Sequence, residues 1–422
     1  MPDLDFFASW LVPALLLAVV GRWAAEIGLA FLNRRHILAH AGAVPEALAG
    51  VIDETTYRRS TEYALARNRL ERFEATFDSA ILLGLLLTGL LPRLYQPVAT
   101  ALGGSAAAVA AAIFVVVIGL SLLSLPLAWY EQFRLEHRFG FNTTTPRTWW
   151  LDRLKGSLLL AGLGYPILWL LVKLPDWMGP LWWLWAAAAL AAIQLLMVAL
   201  APTLILPLFN RFTPLPDGPL RSRLLALSDR TGFRSRTVLV MDGSRRSRHS
   251  NAFFTGFGRF RRIVLFDTLL SQLEEPELEA VLAHEIGHYQ LGHIPLRLLA
   301  AVATLLVSFA AVGWLASLPW FAEAFGFAEP GVGPVLLLLL VFGAVISFWS
   351  SPGWNLWSRR HEYQADRFAA EVVGGPSPLV RALRKLAQHN LSNLTPHPLY
   401  SGFHYSHPTL LERERALGRQ AR

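Results

Sequence analysis

The chain has 422 residues, of which 54% are hydrophobic and 16% charged, with no cysteine and a formal net charge of +8. A soluble domain carries about 25% charged residues, so this composition, with a mean hydropathy of +0.39, excludes an ordinary soluble protein and points to a membrane. Lack of cysteine excludes disulfides, thiol nucleophiles and thiolate metal sites, leaving His, Asp and Glu for any transition metal.

The N-terminus, MPDLDFF, is acidic and runs directly into an apolar stretch. That predicts a retained first span rather than a cleaved signal peptide. A span needs about 20 mostly apolar residues, and seven stretches qualify: roughly 6–32, 76–97, 103–130, 155–175, 180–208, 297–320 and 333–357. The second is the weakest, with Asp78 near its start and Arg93 near its end. Basic residues crowd alternate loops. Arg34, Arg35, Arg58 and Arg59 follow span 1, Arg134, Arg138 and Arg147 follow span 3, and 209–296 and the tail are dense in Arg. The positive-inside rule then puts the N-terminus outside and the long segment 209–296 and the C-terminus in the cytoplasm. The basic excess fits loops facing anionic lipid, and no nucleic-acid partner is expected.

Within 209–296, TVLVMD (237–242) and RIVLFD (262–267) read as short strands, and AFFTGF (252–257) as a third. From Pro276 the pattern turns helical, with Glu274 and Glu275 ahead of it as helix-start signals. The segment 358–422 reads as mostly helical, with a Pro/His-rich loop near 396–408. The sequons at Asn142 and Asn393 fall on the cytoplasmic side and are read as chance.

His284-Glu285-Ile286-Gly287-His288 is an H-E-x-x-H motif on this predicted helix. Residues at i and i+4 share a helix face, so two imidazoles can grip one zinc ion while Glu285 stands beside them as the catalytic base. With 12 His among the 422 residues, a chance match is on the order of one percent. A catalytic zinc wants a third protein ligand and an open position. Glu362 and Asp366, four apart on a probable helix, are the candidates. One would bind the metal and the other would receive the outer N–H of a ligand histidine. Spacing alone also leaves a solvated surface charge open for Glu362. His293 lacks the spacing of the longer motif with a third His six residues on, and reads as a surface residue or one supporting a ligand. His361 would point about 100° away from Glu362. His249, His397, His404 and His407 fall in predicted loops, and His389 near a helix end.

At these residues the chain resembles the type I CAAX prenyl endopeptidases, a family of seven-span membrane zinc proteases. The resemblance runs through RFGFNTTT (138–145), PLFNRFTPLPDG (207–218), MDGSRRSRHSNAFFTGFG (241–258), RIVLFDTLL (262–270), the H-E-x-x-H helix, SRRHEYQADRFA (358–369) and SHPTLLERERAL (406–417). It implies that Glu362 is the third zinc ligand and Asp366 the carboxylate behind a ligand histidine. It also implies that Asn251 binds substrate backbone, and that His407 and Arg413 contact substrate or transition state. The implied fold is a ring of seven helices around a water-filled chamber.

The expectation is therefore a mainly α integral membrane protein with a small β-sheet. It divides into 1–208 (five spans), 209–296 (a cytoplasmic protease region), 297–357 (two spans) and 358–422 (a cytoplasmic tail). One zinc ion per chain, with Glu285 as base and His407 as oxyanion donor, would hydrolyse a peptide or protein substrate, with C-terminally prenylated ones among the candidates. A membrane quality-control zinc protease is the alternative, and a non-catalytic transporter or scaffold a remote one. The Arg- and Ala-rich, cysteine-free composition looks bacterial, which suggests an inner membrane where the family name describes descent more than duty.

Overall fold

The computed structural model describes residues 4–235, 237–255 and 261–420. The end of the expected third strand and of the MDGSRRSRHSNAFFTGFG block, 256–258, lies outside the described residues, as does the start of the N-terminus.

The apolar half is built from long helices: α1 (Leu4–His40), α2 (Glu54–Thr88), α3 (Leu90–Ala101) and α4 (Ala106–Leu123). Three more, α5 (Pro146–Leu159), α6 (Tyr165–Met178) and α7 (Trp182–Leu200), form one helical run to Phe209. Among the described residues, five helical stretches are long and apolar enough to cross a membrane: 9–40, 106–123, 146–209, 293–316 and 332–372. A sixth arises if α2 and α3 form one span. They meet at a 69° bend, where Gly89 takes a left-handed φ of 59°. This bend coincides with the weakest of the expected spans.

The run 146–209 would be about 96 Å long if straight, against a hydrocarbon core of about 30 Å. It folds back on itself instead. Gly179 breaks it with a φ of 58°, and Lys155 Nζ donates to the carbonyl of Leu208 at 2.7 Å. Large apolar side chains such as Leu17, Leu87, Val307 and Ile346 are 69–73% exposed. A soluble surface would not tolerate so many, whereas lipid does.

The second half contains α8 (Pro219–Arg230) and a four-stranded mixed sheet of β1 (Phe212–Pro214), β2 (Thr237–Met241), β3 (Ala252–Thr255) and β4 (Arg262–Phe266). The strand order is β1-β2-β4-β3, with β2 and β4 parallel and β3 on an edge, antiparallel to β4. Strand β1 had no signal in the sequence, being three residues that include a proline. After the sheet come α9 (Glu275–Gln290), α10 (His293–Ala316), α11 (Val332–Ser347), α12 (Ser351–Val372), α13 (Ser377–His389) and α14 (Leu410–Gln420).

Helix α9 is the centre of this half. Its start is fixed by a capping box in which Glu274 and Glu277 bond each other's backbone N–H. Leu278, Leu282 and Ile286 pack in one core with Leu224, Leu227, Val238, Ile263, Leu265 and Leu379. Two glutamates are buried with them, and each is neutralised by cations from a neighbouring helix. Glu277 meets Lys385 of α13 at 2.8 Å, and Glu279 meets Arg223 and Arg230 of α8. A buried charge survives only when paired in this way. The pairs lock α9 between α8 and α13.

Candidate metal centre

The motif occupies the second half of α9, and the facing segment of α12 supplies Glu362 and Asp366, both buried. The two helices touch where Gly287 meets Ala365. One ligand-type atom from each of His284, His288 and Glu362 lies within 4.8 Å of the others. His284 Nε2 is 3.4 Å from Glu362 Oε2, and His288 Nε2 is 3.3 Å from Glu362 Oε1. A tetrahedral ion bonded at about 2.0–2.1 Å separates its ligand atoms by about 3.3–3.4 Å.

Hydrogen bonding behind these atoms decides what they offer. His284 Nδ1 is 2.8 Å from Asp366 Oδ1. An ionised carboxylate only accepts, so Nδ1 carries a proton, and Nε2 is the nitrogen left for a metal. His288 Nδ1 faces His293 Nδ1 at 3.0 Å. Glu362 Oε2 is buried without a hydrogen bond. Two imidazole Nε2 atoms thus converge on one buried carboxylate, and a cation fits at their meeting point. Burial opposes charge on His284, but hydrogen bonds to Asp366 and Glu362 prevail and push its pKa up to about 9. The same negative surroundings favour a metal ion in the proton's place.

Glu285 is largely withdrawn from water, and burial raises its pKa above the ordinary carboxylate range. His407 brings Nδ1 to 2.8 Å from Glu362 Oε2 while two-thirds of its side chain stays exposed. Arg413, expected beside substrate, has its guanidinium engaged by Asp366, with Nε 2.8 Å from Oδ2 and a second bond to Oδ1. Arg413 and His407 also line a cavity of about 590 Å³ with Leu383, Leu386, Asn390 and Leu410. Asn251 lies just before edge strand β3, and its side chain accepts from the N–H of Ala252 at 2.8 Å. Ser250, next to it, reaches Asn390 at the wall of that cavity.

Residues 33–211 match the family model described as "CAAX prenyl protease N-terminal, five membrane helices", and residues 214–421 match "Peptidase family M48". The chain belongs to peptidase family M48. It is 35% identical to CAAX prenyl protease 1 of Saccharomyces cerevisiae over 89% of this chain and 88% of that protein. It is 36% identical to the CAAX prenyl protease 1 homolog of Arabidopsis thaliana, with 92% and 93% covered. The crystal structure of S. mikatae Ste24p superposes with a TM-score of 0.89 at 32% identity, covering 96% of this chain and 98% of that one. This M48 chain is accordingly a multi-pass membrane metallopeptidase, and the His-His-Glu group fits the metal such an enzyme requires.

His293 was expected either at the surface or behind a ligand, and it lies buried against His288. Gly292, with φ 71°, ends α9 and turns the chain so that His293 opens α10 beside it. A glycine directly before that histidine was the available signal. Gln364 and His361, which meet His293 from α12, carried none.

Proposed function

We propose that the chain is a zinc endopeptidase of the CAAX prenyl protease type, with zinc held by His284, His288 and Glu362. The observation that carries the reading is the convergence of two imidazole Nε2 atoms on one buried carboxylate. Three protein ligands and an open fourth position are the pattern of a catalytic zinc. Zinc bound there would acidify a water and polarise the scissile carbonyl. Glu285 takes the proton of the attacking water and delivers it to the leaving amine. Its raised pKa brings it nearer to that of a base working at neutral pH. Asp366 keeps the proton on His284 Nδ1, and Arg413 keeps Asp366 ionised and in place. His407, exposed on its outer side, donates to the developing oxyanion. Asn251 and edge strand β3 hold the substrate as an added strand, a mode open to any edge.

Seven crossings around a polar chamber form part of the same proposal. The hairpin within 146–209 counts as two spans and the bent pair as one. Arg22, Glu26, Glu71, Glu74 and Asp78 line a cavity of about 400 Å³ between helices whose outer faces are apolar. Charges inside spans are expected to face such a cavity. The basic loops favour an N-terminus outside and an active-site region in the cytoplasm, and the composition favours a bacterial inner membrane. Likeness to prenyl proteases through both halves of the chain favours a C-terminally prenylated peptide over the general substrates of a quality-control protease.

Cleavage of one peptide, with and without a prenyl chain, by wild type and Glu285→Ala tests the reading. Preference for the prenylated form, lost in the variant, is the expected result. Equal cleavage of both forms would remove the prenyl specificity, and no zinc in purified protein would remove the metal site.

A further inference from the structure

The two ligand histidines are backed differently. His284 leans on a carboxylate, Asp366. His288 leans on another imidazole, His293, which itself reaches Gln364 Oε1 through Nε2 at 2.9 Å. We propose that His293 and Gln364 form a relay that fixes the protonation of His288 and holds its Nε2 ready for the metal. This rests on the metal-site reading above.

The proton positions follow from the chemistry of each contact. A metal-binding His288 presents its Nε2 lone pair and so carries its proton on Nδ1. That N–H needs an acceptor, and the atom opposite is His293 Nδ1. For Nδ1 to accept, the His293 proton must sit on Nε2. That N–H in turn needs an acceptor, and Gln364 offers its amide oxygen. Reversing any one bond sets two N–H groups, or two lone pairs, face to face. His361 stacks on His293 with centroids 4.0 Å apart and planes 8° from parallel. Trp357 covers the far edge of His361 at 5.0 Å. The His293 ring is therefore fixed in plane as well as in tautomer.

Helix spacing supplies this from one segment of α12. Glu362 and Asp366 face the metal side of α9, while His361 and Gln364, each displaced from Glu362 around the helix, face α10. The stretch His361–Asp366 thus serves both ligand histidines. Gln364 is exposed, so replacing it alters the relay without opening the core.

His293 and Gln364 are positioning residues, and metal affinity reads their role. Full-length protein in detergent would be stripped by a chelator and titrated with zinc against a chromophoric competitor, and with cobalt(II) for its visible spectrum. His293→Leu and Gln364→Leu should each weaken zinc by about 10–100-fold, as loss of an outer partner does. Gln364→Glu, which keeps an acceptor, should bind as tightly as wild type or tighter. The double variant His293→Leu/Gln364→Leu should bind no worse than His293→Leu alone, because both changes break one chain. Additive losses would indicate two unrelated packing effects and overturn the relay. So would unchanged affinity in both single variants with unfolding transitions intact. Wild type that takes up no zinc would instead overturn the metal site, and the relay with it.

Discussion

Gly287 and Ala365 meet in tight contact between the two helices that carry the candidate ligands. A methyl group on Gly287 would come within 3.1 Å of Ala365 Cα and 3.3 Å of its carbonyl oxygen. These are backbone atoms, which cannot swing aside. Gly287→Ala should therefore push α12 away by a few tenths of an ångström and take Glu362 with it. Metal sites tolerate deviations of about 0.2 Å. The expected outcome is weaker zinc binding and lower activity, although alanine favours a helix by about 1 kcal/mol over glycine. A zinc titration checks it, and affinity equal to wild type would show that the helices have room to spare.

In the proposed mechanism Glu285 touches the chemistry without being needed to hold the ion. Glu285→Gln should keep full zinc content and lose about 100- to 10,000-fold in turnover. Metal analysis beside a peptide assay decides the point. Activity retained with metal in place would remove Glu285 as the base, whereas Glu362→Ala should instead lower occupancy.

Arg413 is partly buried against Asp366, which is itself buried. Arg413→Ala would leave Asp366 with His284 as its remaining partner, a loss of at most about 3–5 kcal/mol, that of a broken buried pair. Thermal unfolding of the metal-free protein should show the loss, with Arg413→Lys intermediate because it keeps the charge but not the fork. An unchanged transition would mean that water reaches Asp366.

In the metal-free protein His284 has a pKa raised from 6.5 to about 9. A raised folded-state pKa adds stability that is complete below 6.5 and lost as the pH climbs through 9. Metal-free protein should accordingly melt at lower temperature above pH 9 than at neutral pH. Metal uptake near pH 7 should also expel a proton from His284, and this release should fade above pH 9. Calorimetry in two buffers of unlike protonation enthalpy measures the release. The same proton count at both pH values would contradict the assignment.

The chain has no cysteine, so single introduced thiols report topology without background. Asp176→Cys, beside the Gly179 turn and 63% exposed at its side chain, should react with an impermeant maleimide added outside intact cells. Arg245→Cys should react only after the membrane is opened. The opposite pattern would invert the proposed orientation.

Composition and periodicity were enough for the apolar helices, because lipid demands long apolar runs whatever the partner. Strands β2 and β4 and the motif helix α9 were legible for a similar reason, their signals being local. Span edges were harder to read where the backbone ignores composition. Polarity changes at Ser358, yet α12 runs on unbroken from Ser351 to Val372, so one helix belongs to both regions. The metal group lay beyond local reading, since its two halves are separated by an entire apolar hairpin. H-E-x-x-H spacing presents two imidazoles on one helix face, but nothing in neighbouring sequence distinguishes a ligand at Glu362 from a surface charge. That choice belongs to the packing of α12 on α9 at Gly287, which buries Glu362 before both Nε2 atoms, turns Asp366 to His284 and brings His293 behind His288. Local chemistry named the groups, and only the approach of distant helices decided which of them meet.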